Sequence, residues 1–154
     1  MSLGPCPGSS LPKRASVHIH CHRRTDMTTR PTAKENAKRF ASVIQALQAC
    51  EAACTHCATE CSKNGHAEAM ARCISVCTDC AEYCALTRKF LERNSEFAEL
   101  LLEDCAEICS QCAEECDHHG QGHCSACATA CRACMDACLK VAGVEAVTAE
   151  PTVF

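Results

Sequence analysis

Seventeen of the nineteen cysteines in this 154-residue chain stand in four blocks whose spacings alternate between three and four residues. The blocks are Cys50, Cys54, Cys57, Cys61; Cys73, Cys77, Cys80, Cys84; Cys105, Cys109, Cys112, Cys116; and Cys124, Cys127, Cys131, Cys134, Cys138. Such steps straddle the 3.6-residue turn and trace one stripe along an α-helix. In an ordinary bundle that stripe is Leu, Ile and Val, because it is the face that packs inward. Here it is thiol in every block. Cysteine is a legitimate small core residue, but packing explains such a run of it poorly. Soft metal ions, above all Cu(I), explain it well.

The blocks also set the fold. Three read Cys-x3-Cys-x2-Cys-x3-Cys, and the last is the same with Cys124 prefixed at a three-residue step. One repeated unit whose copies all face a common axis predicts an all-α, antiparallel four-helix bundle with a cysteine-lined core. The first helix starts after Thr32, a capping residue, and runs to Lys63, where Asn64-Gly65 supplies a left-handed stop. The second spans about 66–92, with Arg93-Asn94 as the break; Ser95 caps the third, which reaches Asp117. The fourth spans about 123–142 and ends at Gly143. Residues 1–31 hold four of the five prolines together with Cys6 and Cys21, and read as a disordered tail in which Met27 is an alternative start. The bundle is expected over 32–143 and a C-terminal tail over 144–154.

Composition removes several classes. The chain is one domain in size, and with only 3% aromatic residues its core is one of small side chains. The net charge is −4, and the basic excess of residues 1–26 leaves the bundle more acidic still, which argues against a nucleic-acid partner. No window approaches the ~18 consecutive apolar residues of a membrane span. Arg23-Arg24 resembles a twin-arginine signal, but the polar run Thr25-Asp26-Met27-Thr28 stands where an apolar stretch belongs. The expectation is a cytosolic protein with reduced thiols, in which clustered cysteines are metal ligands rather than bridges.

The blocks contain eight Cys-x3-Cys pairs. Residues four apart on a helix lie about 5–6 Å apart at Cβ, so each pair can converge on one ion, with facing helices supplying a third sulfur. Cu(I) is soft and prefers thiolate and thioether. Catalysis or electron transfer needs one or two centres, whereas many sites suit storage. Loading releases thiol protons and stabilises the fold.

The two ends of the bundle differ. The turns after the first and third helices share one end, which collects His66, Met70, His118, His119 and His123. Imidazole and thioether are weaker, more exchangeable Cu(I) ligands than thiolate, which suits a mouth for capture and hand-off. Loop histidines are also common on surfaces, so a ligand role and an exposed role both stay open for each. At the opposite end the stripe continues as Val43, Leu47, Leu91, Leu101, Leu102 and Val141, a hydrophobic plug. His56 is expected to be exposed and Met135 to serve interhelical packing. The tract His18-Ile19-His20-Cys21-His22 has a metal-binding composition but reads first as unselected or loosely tethered sequence.

On the thiol stripes Cys50–Cys61, Cys73–Cys84, Cys105–Cys116 and Cys124–Cys138, the chain resembles the bacterial copper storage proteins over about residues 33–142. That resemblance implies a bundle that stores multiple Cu(I) ions in its core, a His/Met mouth, a homotetramer, the cytosolic branch of the family and no enzymatic role; it names no delivery partner. A zinc- or cadmium-sequestering thiolate protein is the alternative, since facing pairs can also build tetrahedral four-sulfur sites. An iron–sulfur carrier fits less well, because the spacing is strictly helical and no Pro follows any block. A disulfide-braced bundle and a thiol enzyme fit least, for want of bridging geometry and of a distinguished cysteine with a fixed partner.

Overall fold

Thr32 opens the bundle through a capping box. Its Oγ1 accepts from the Glu35 amide at 3.4 Å, while the Thr32 amide donates to Glu35 Oε2 at 2.7 Å. The computed structural model describes residues 32–63 and 67–143. Four helices make up their regular structure: α1 (Ala33–Cys61), α2 (Ala71–Glu92), α3 (Leu100–Asp117) and α4 (Gly122–Ala142). Met27, Cys6, Cys21, the His18–His22 tract, Asn64-Gly65 and His66 lie outside the described residues, as does the C-terminal tail.

Two helix starts differ from the sequence reading. α2 begins at Ala71, after a turn in which the Ala71 amide donates to the Glu68 carbonyl at 3.3 Å. Met70 precedes it with φ −103° and ψ 8°, outside helical geometry, and its side chain is only 7% exposed. Ser95 caps a turn, not α3: its Oγ accepts from the Phe97 amide at 3.3 Å. The chain then climbs by tight three-residue steps, Ala98 to Ser95 and Leu100 to Phe97, before α3 proper begins at Leu100. That ramp carries Ala98, 1% exposed, into the core. The stops after α2 and α4 hold as expected. Asn94 takes φ 52° in the break after α2, and Gly143 takes φ 75° after α4, a left-handed conformation that glycine adopts without strain.

The register of sulfurs fixes the directions. Cys61 meets Cys73 while Cys50 meets Cys80, so α1 and α2 are antiparallel. Cys77 meets Cys116 while Cys84 meets Cys105, and Cys61 meets Cys124 while Cys50 meets Cys131, which reverses α3 against α2 and α4 against α1. Each helix packs on its two neighbours in the ring α1–α2–α3–α4, and no diagonal pair of backbones approaches closely. The buried alanines Ala81, Ala106, Ala113 and Ala128 flank the stripe and leave room for close helix approach.

At one end the stripe turns apolar. Val43, Leu47, Leu91 and Leu102 are buried as expected, whereas Leu101 and Val141 are half-buried. Phe40 and Thr87 complete this plug. Thr87 stays in a dry position because its Oγ1 donates to the Tyr83 carbonyl at 2.9 Å. Arg39 ties the same end together, donating to Glu99 Oε1 at 2.6 Å and to the Val141 carbonyl at 3.3 Å.

Candidate metal centre

All seventeen cysteines of the four blocks are free and buried, with Cys61 the most open at 3%. They line the axis over a length of about 16–21 Å, from the 1.5 Å rise per residue of each block. Within helices, Sγ separations are 3.8 Å for Cys50–Cys54 and 4.0 Å for Cys57–Cys61, Cys73–Cys77 and Cys127–Cys131. Between helices they are as short or shorter: 3.5 Å for Cys54 to both Cys127 and Cys131, and 3.6 Å for Cys50–Cys131 and Cys77–Cys116. Sulfurs even meet across the diagonals, Cys50–Cys109 and Cys54–Cys112 at 3.9 Å, although the backbones there stay apart.

The thiols therefore form a shared network in place of eight separate helical pairs. Its tight groups draw on several helices. Cys50, Cys54, Cys80 and Cys131 lie within 4.8 Å of one another, as do Cys50, Cys80, Cys84 and Cys109, and likewise Cys54, Cys112, Cys127 and Cys131. Nearer the mouth, Cys57, Cys77, Cys116 and Cys127 form another such group. At the far end, Cys138 interacts first with Cys105 and then with Cys134.

At the mouth, Cys57, Cys61 and Cys124 gather with His123, whose Nε2 lies 3.4 Å from Cys61 Sγ. His123 is half-buried at the start of α4, one residue before Cys124, and is the histidine that the structure brings to sulfur among the described residues. His119 is turned otherwise: its Nε2 lies 3.2 Å from Glu115 Oε1, and Arg72 donates to the other oxygen of that carboxylate at 2.7 Å. Those two partners hold the Glu115 carboxyl below its ordinary range although burial opposes them. His118 is exposed, as is His56, and Met135 packs against the core from its flank. Met70 is buried near Cys73, at the start of the α2 stripe.

The same crowding raises most of the metal-free thiols, while hydrogen bonds from neighbouring sulfurs lower Cys50, Cys80, Cys105, Cys116 and Cys127. Burial pushes the Cys124 thiol up to about 11, and burial together with Cys116, Cys61 and Cys124 raises Cys73. In the middle, the hydrogen bond with Cys112 and then those with Cys127 and Cys131 raise Cys54. Neutral thiols can share a dry core; seventeen bare thiolates cannot. Cations that replace the thiol protons lift that constraint.

A set of soft, closely spaced donors narrows the relatives to be expected. The sequence model of the copper storage protein family matches residues 36–143. The chain belongs to the copper storage protein family. Among solved structures, a Cu(I)-bound copper storage protein shares 36% identity, with 68% of this chain and 98% of that one covered at a TM-score of 0.65. The copper-free copper storage protein 3 of Bacillus subtilis shares 37% identity over 67% of this chain and 98% of that one, at 0.61. The copper storage protein of Streptomyces lividans loaded with 10 copper equivalents shares 30% identity over 77% and 95%, at 0.68. No curated protein matches the chain. Membership of this family favours copper over the zinc or cadmium store and over the iron–sulfur carrier.

Proposed function

We propose that this protein stores several Cu(I) ions on the thiolates lining its bundle, with the His/Met end as the mouth for uptake and release. The observation that carries this reading is the sulfur network: cross-helix Sγ separations of 3.5–3.9 Å run from Cys61 at the mouth to Cys84 near the plug. Cu(I) suits it in charge as well as in softness. A monovalent ion balances one thiolate, so bridged ions and thiolates approach neutrality in a dry core. A divalent ion on four thiolates leaves two negative charges buried there.

In this reading the ligands are the seventeen block cysteines together with His123 and Met70. His119, held by Glu115, orders the mouth, and His66 and His118 serve it as weaker, exchangeable ligands. The bundle is the functional domain, 32–143, and the role is storage without catalysis. No helix among the described residues is long and apolar enough to cross a membrane. A cytosolic location is supported by the Streptomyces lividans relative described as a cytosolic copper storage protein. A homo-oligomer, the tetramer implied by the resemblance, is supported by the exposed side chains of Leu86, Phe97 and Leu100.

The test is an anaerobic Cu(I) titration of the fully reduced protein against a competing chelator. Tight uptake of many ions per chain, resistant to displacement by zinc, is the expected result. Saturation at one or two ions, or displacement by zinc, would refute the store.

A further inference from the structure

The group at the mouth differs from the sulfur-only groups below it in one donor and in its contact with water. Its ligand atoms are the sulfurs of Cys57, Cys61 and Cys124 and one imidazole nitrogen of His123. Cys57–Cys61 is 4.0 Å, Cys57–Cys124 3.7 Å, Cys61–Cys124 3.9 Å and Cys61 to His123 Nε2 3.4 Å. A tetrahedral zinc ion, with bonds of about 2.3 Å to sulfur and 2.0–2.1 Å to nitrogen, sets sulfur–sulfur edges of about 3.8 Å and sulfur–nitrogen edges of about 3.6 Å. These four edges agree with those lengths to about 0.2 Å, and the remaining two, from His123 to Cys57 and to Cys124, lie within 4.8 Å. Three cysteines and one histidine are also a donor set of structural zinc sites.

Edge length alone does not single out the mouth, because four edges of the buried group of Cys50, Cys54, Cys80 and Cys131 are 3.5–3.9 Å and the whole group lies within 4.8 Å. Charge does. On four thiolates a divalent ion keeps two surplus negative charges, and at that group every ligand is fully buried. On three thiolates and a neutral imidazole it keeps one, beside a histidine that reaches solvent. Cu(I) has the reverse preference, since bridging thiolates serve it best in the deep core and it needs no imidazole there.

We propose that Cys57, Cys61, His123 and Cys124 form a tetrahedral site for one zinc-class divalent ion, held across the mouth of the copper-free protein. This rests on the copper-store reading. Cys57 and Cys61 come from the last turns of α1, and His123 and Cys124 from the first turn of α4, so the ion staples two helices at the open end. It occupies the thiols that incoming Cu(I) meets first and leaves the deep ones free. Cu(I) then displaces it by ligand exchange, with no change of oxidation state: the divalent ion departs and the thiolates stay with copper. Zinc-loaded protein fills with Cu(I) more slowly and to the same final content.

The probe is Co2+, added anaerobically to the reduced full chain, because zinc itself is spectroscopically silent. One equivalent gives a tetrahedral ligand-field spectrum with thiolate-to-cobalt charge transfer, and Zn2+ abolishes it. His123→Ala weakens Co2+ binding by at least about tenfold and alters the ligand-field bands. His123→Cys keeps the site and adds the charge-transfer intensity of a fourth thiolate, which separates loss of a ligand from loss of the fold. Uptake of several equivalents with a spectrum unchanged by both substitutions would overturn the proposal, as would the absence of any cobalt binding. Cu(I) content is measured on the same preparation. A high copper content without the cobalt site removes the mouth site alone; a low copper content removes the store itself.

Discussion

The sulfurs of Cys54 and Cys131, on α1 and α4, lie 3.5 Å apart, closer than Cys54 is to Cys50 one turn away on its own helix. The unit that holds an ion is therefore built between helices. Several thiols serve more than one group: Cys50, Cys54 and Cys131 all recur in two of the four-sulfur clusters.

A store built this way loses capacity gradually. Cys54→Ser with Cys131→Ser removes two shared ligands, and the remaining sulfurs still hold copper. Serine on a helix bonds back to a carbonyl in the turn before it, so the cost to the fold is modest, about 1–3 kcal/mol. The expected outcome is a small drop in Cu(I) per chain, measured by chelator competition, with the helical circular dichroism retained. Loss of all binding would contradict a many-site core.

The mouth governs rate, not amount. Replacement of His66, Met70, His119 and His123 together by Ala is expected to slow Cu(I) uptake in stopped-flow mixing while leaving final content nearly intact. If the content collapses instead, the thiol stripe is the lesser site.

The plug and its clasp contribute unequally. Arg39 and Glu99 are 44% and 56% exposed, so their ion pair is worth about 0–1 kcal/mol. Leu47 is fully buried, and Leu47→Ala is expected to cost the copper-free protein about 2–5 kcal/mol. Urea unfolding of the two variants, Arg39→Ala and Leu47→Ala, gives the order directly. Cu(I) loading raises the stability of both, because the ions bind the folded state.

Much of this was legible in the sequence, and the limits are physical. Spacings of three and four identify the inward face of every helix, and capping chemistry at Thr32 and Gly143 places two boundaries. Spacing within one helix says nothing of axial register between helices. That is why the spacing pairs Cys50 with Cys54 and leaves the facing sulfur unnamed, where the fold brings Cys80, Cys109 and Cys131. Phe40 was reachable, since it lies three residues before Val43 on the same stripe and is buried beside it. The start of α3 was not, because Ser95 is as good a cap for a tight turn as for a helix, and only the burial of Ala98 decides. Among the mouth histidines spacing favours His119, three residues after Cys116, over His123, and only the fold turns His123 to sulfur and His119 to Glu115.

Protonated thiols make the copper-free fold sensitive to alkali. Unfolded thiols ionise near 8.5, while Cys124 in the bundle holds its proton to about 11 and Cys73 is shifted in the same direction. Above pH ~8.5 the unfolded chain therefore binds fewer protons than the native one, and stability falls as pH rises. This contribution is fully present below ~8.5 and is lost progressively up to about 11. Urea midpoints of the reduced, copper-free protein should decline between pH 8 and ~10.5; a flat profile would contradict the raised thiols of Cys73 and Cys124.

The most direct measurement is anaerobic native mass spectrometry of the reduced chain during Cu(I) addition, followed by thiol alkylation under denaturing conditions that retain copper. The account predicts many copper ions per chain at saturation, with the block cysteines protected from alkylation in step with loading. One or two ions bound, with most of these thiols still alkylated, would contradict it.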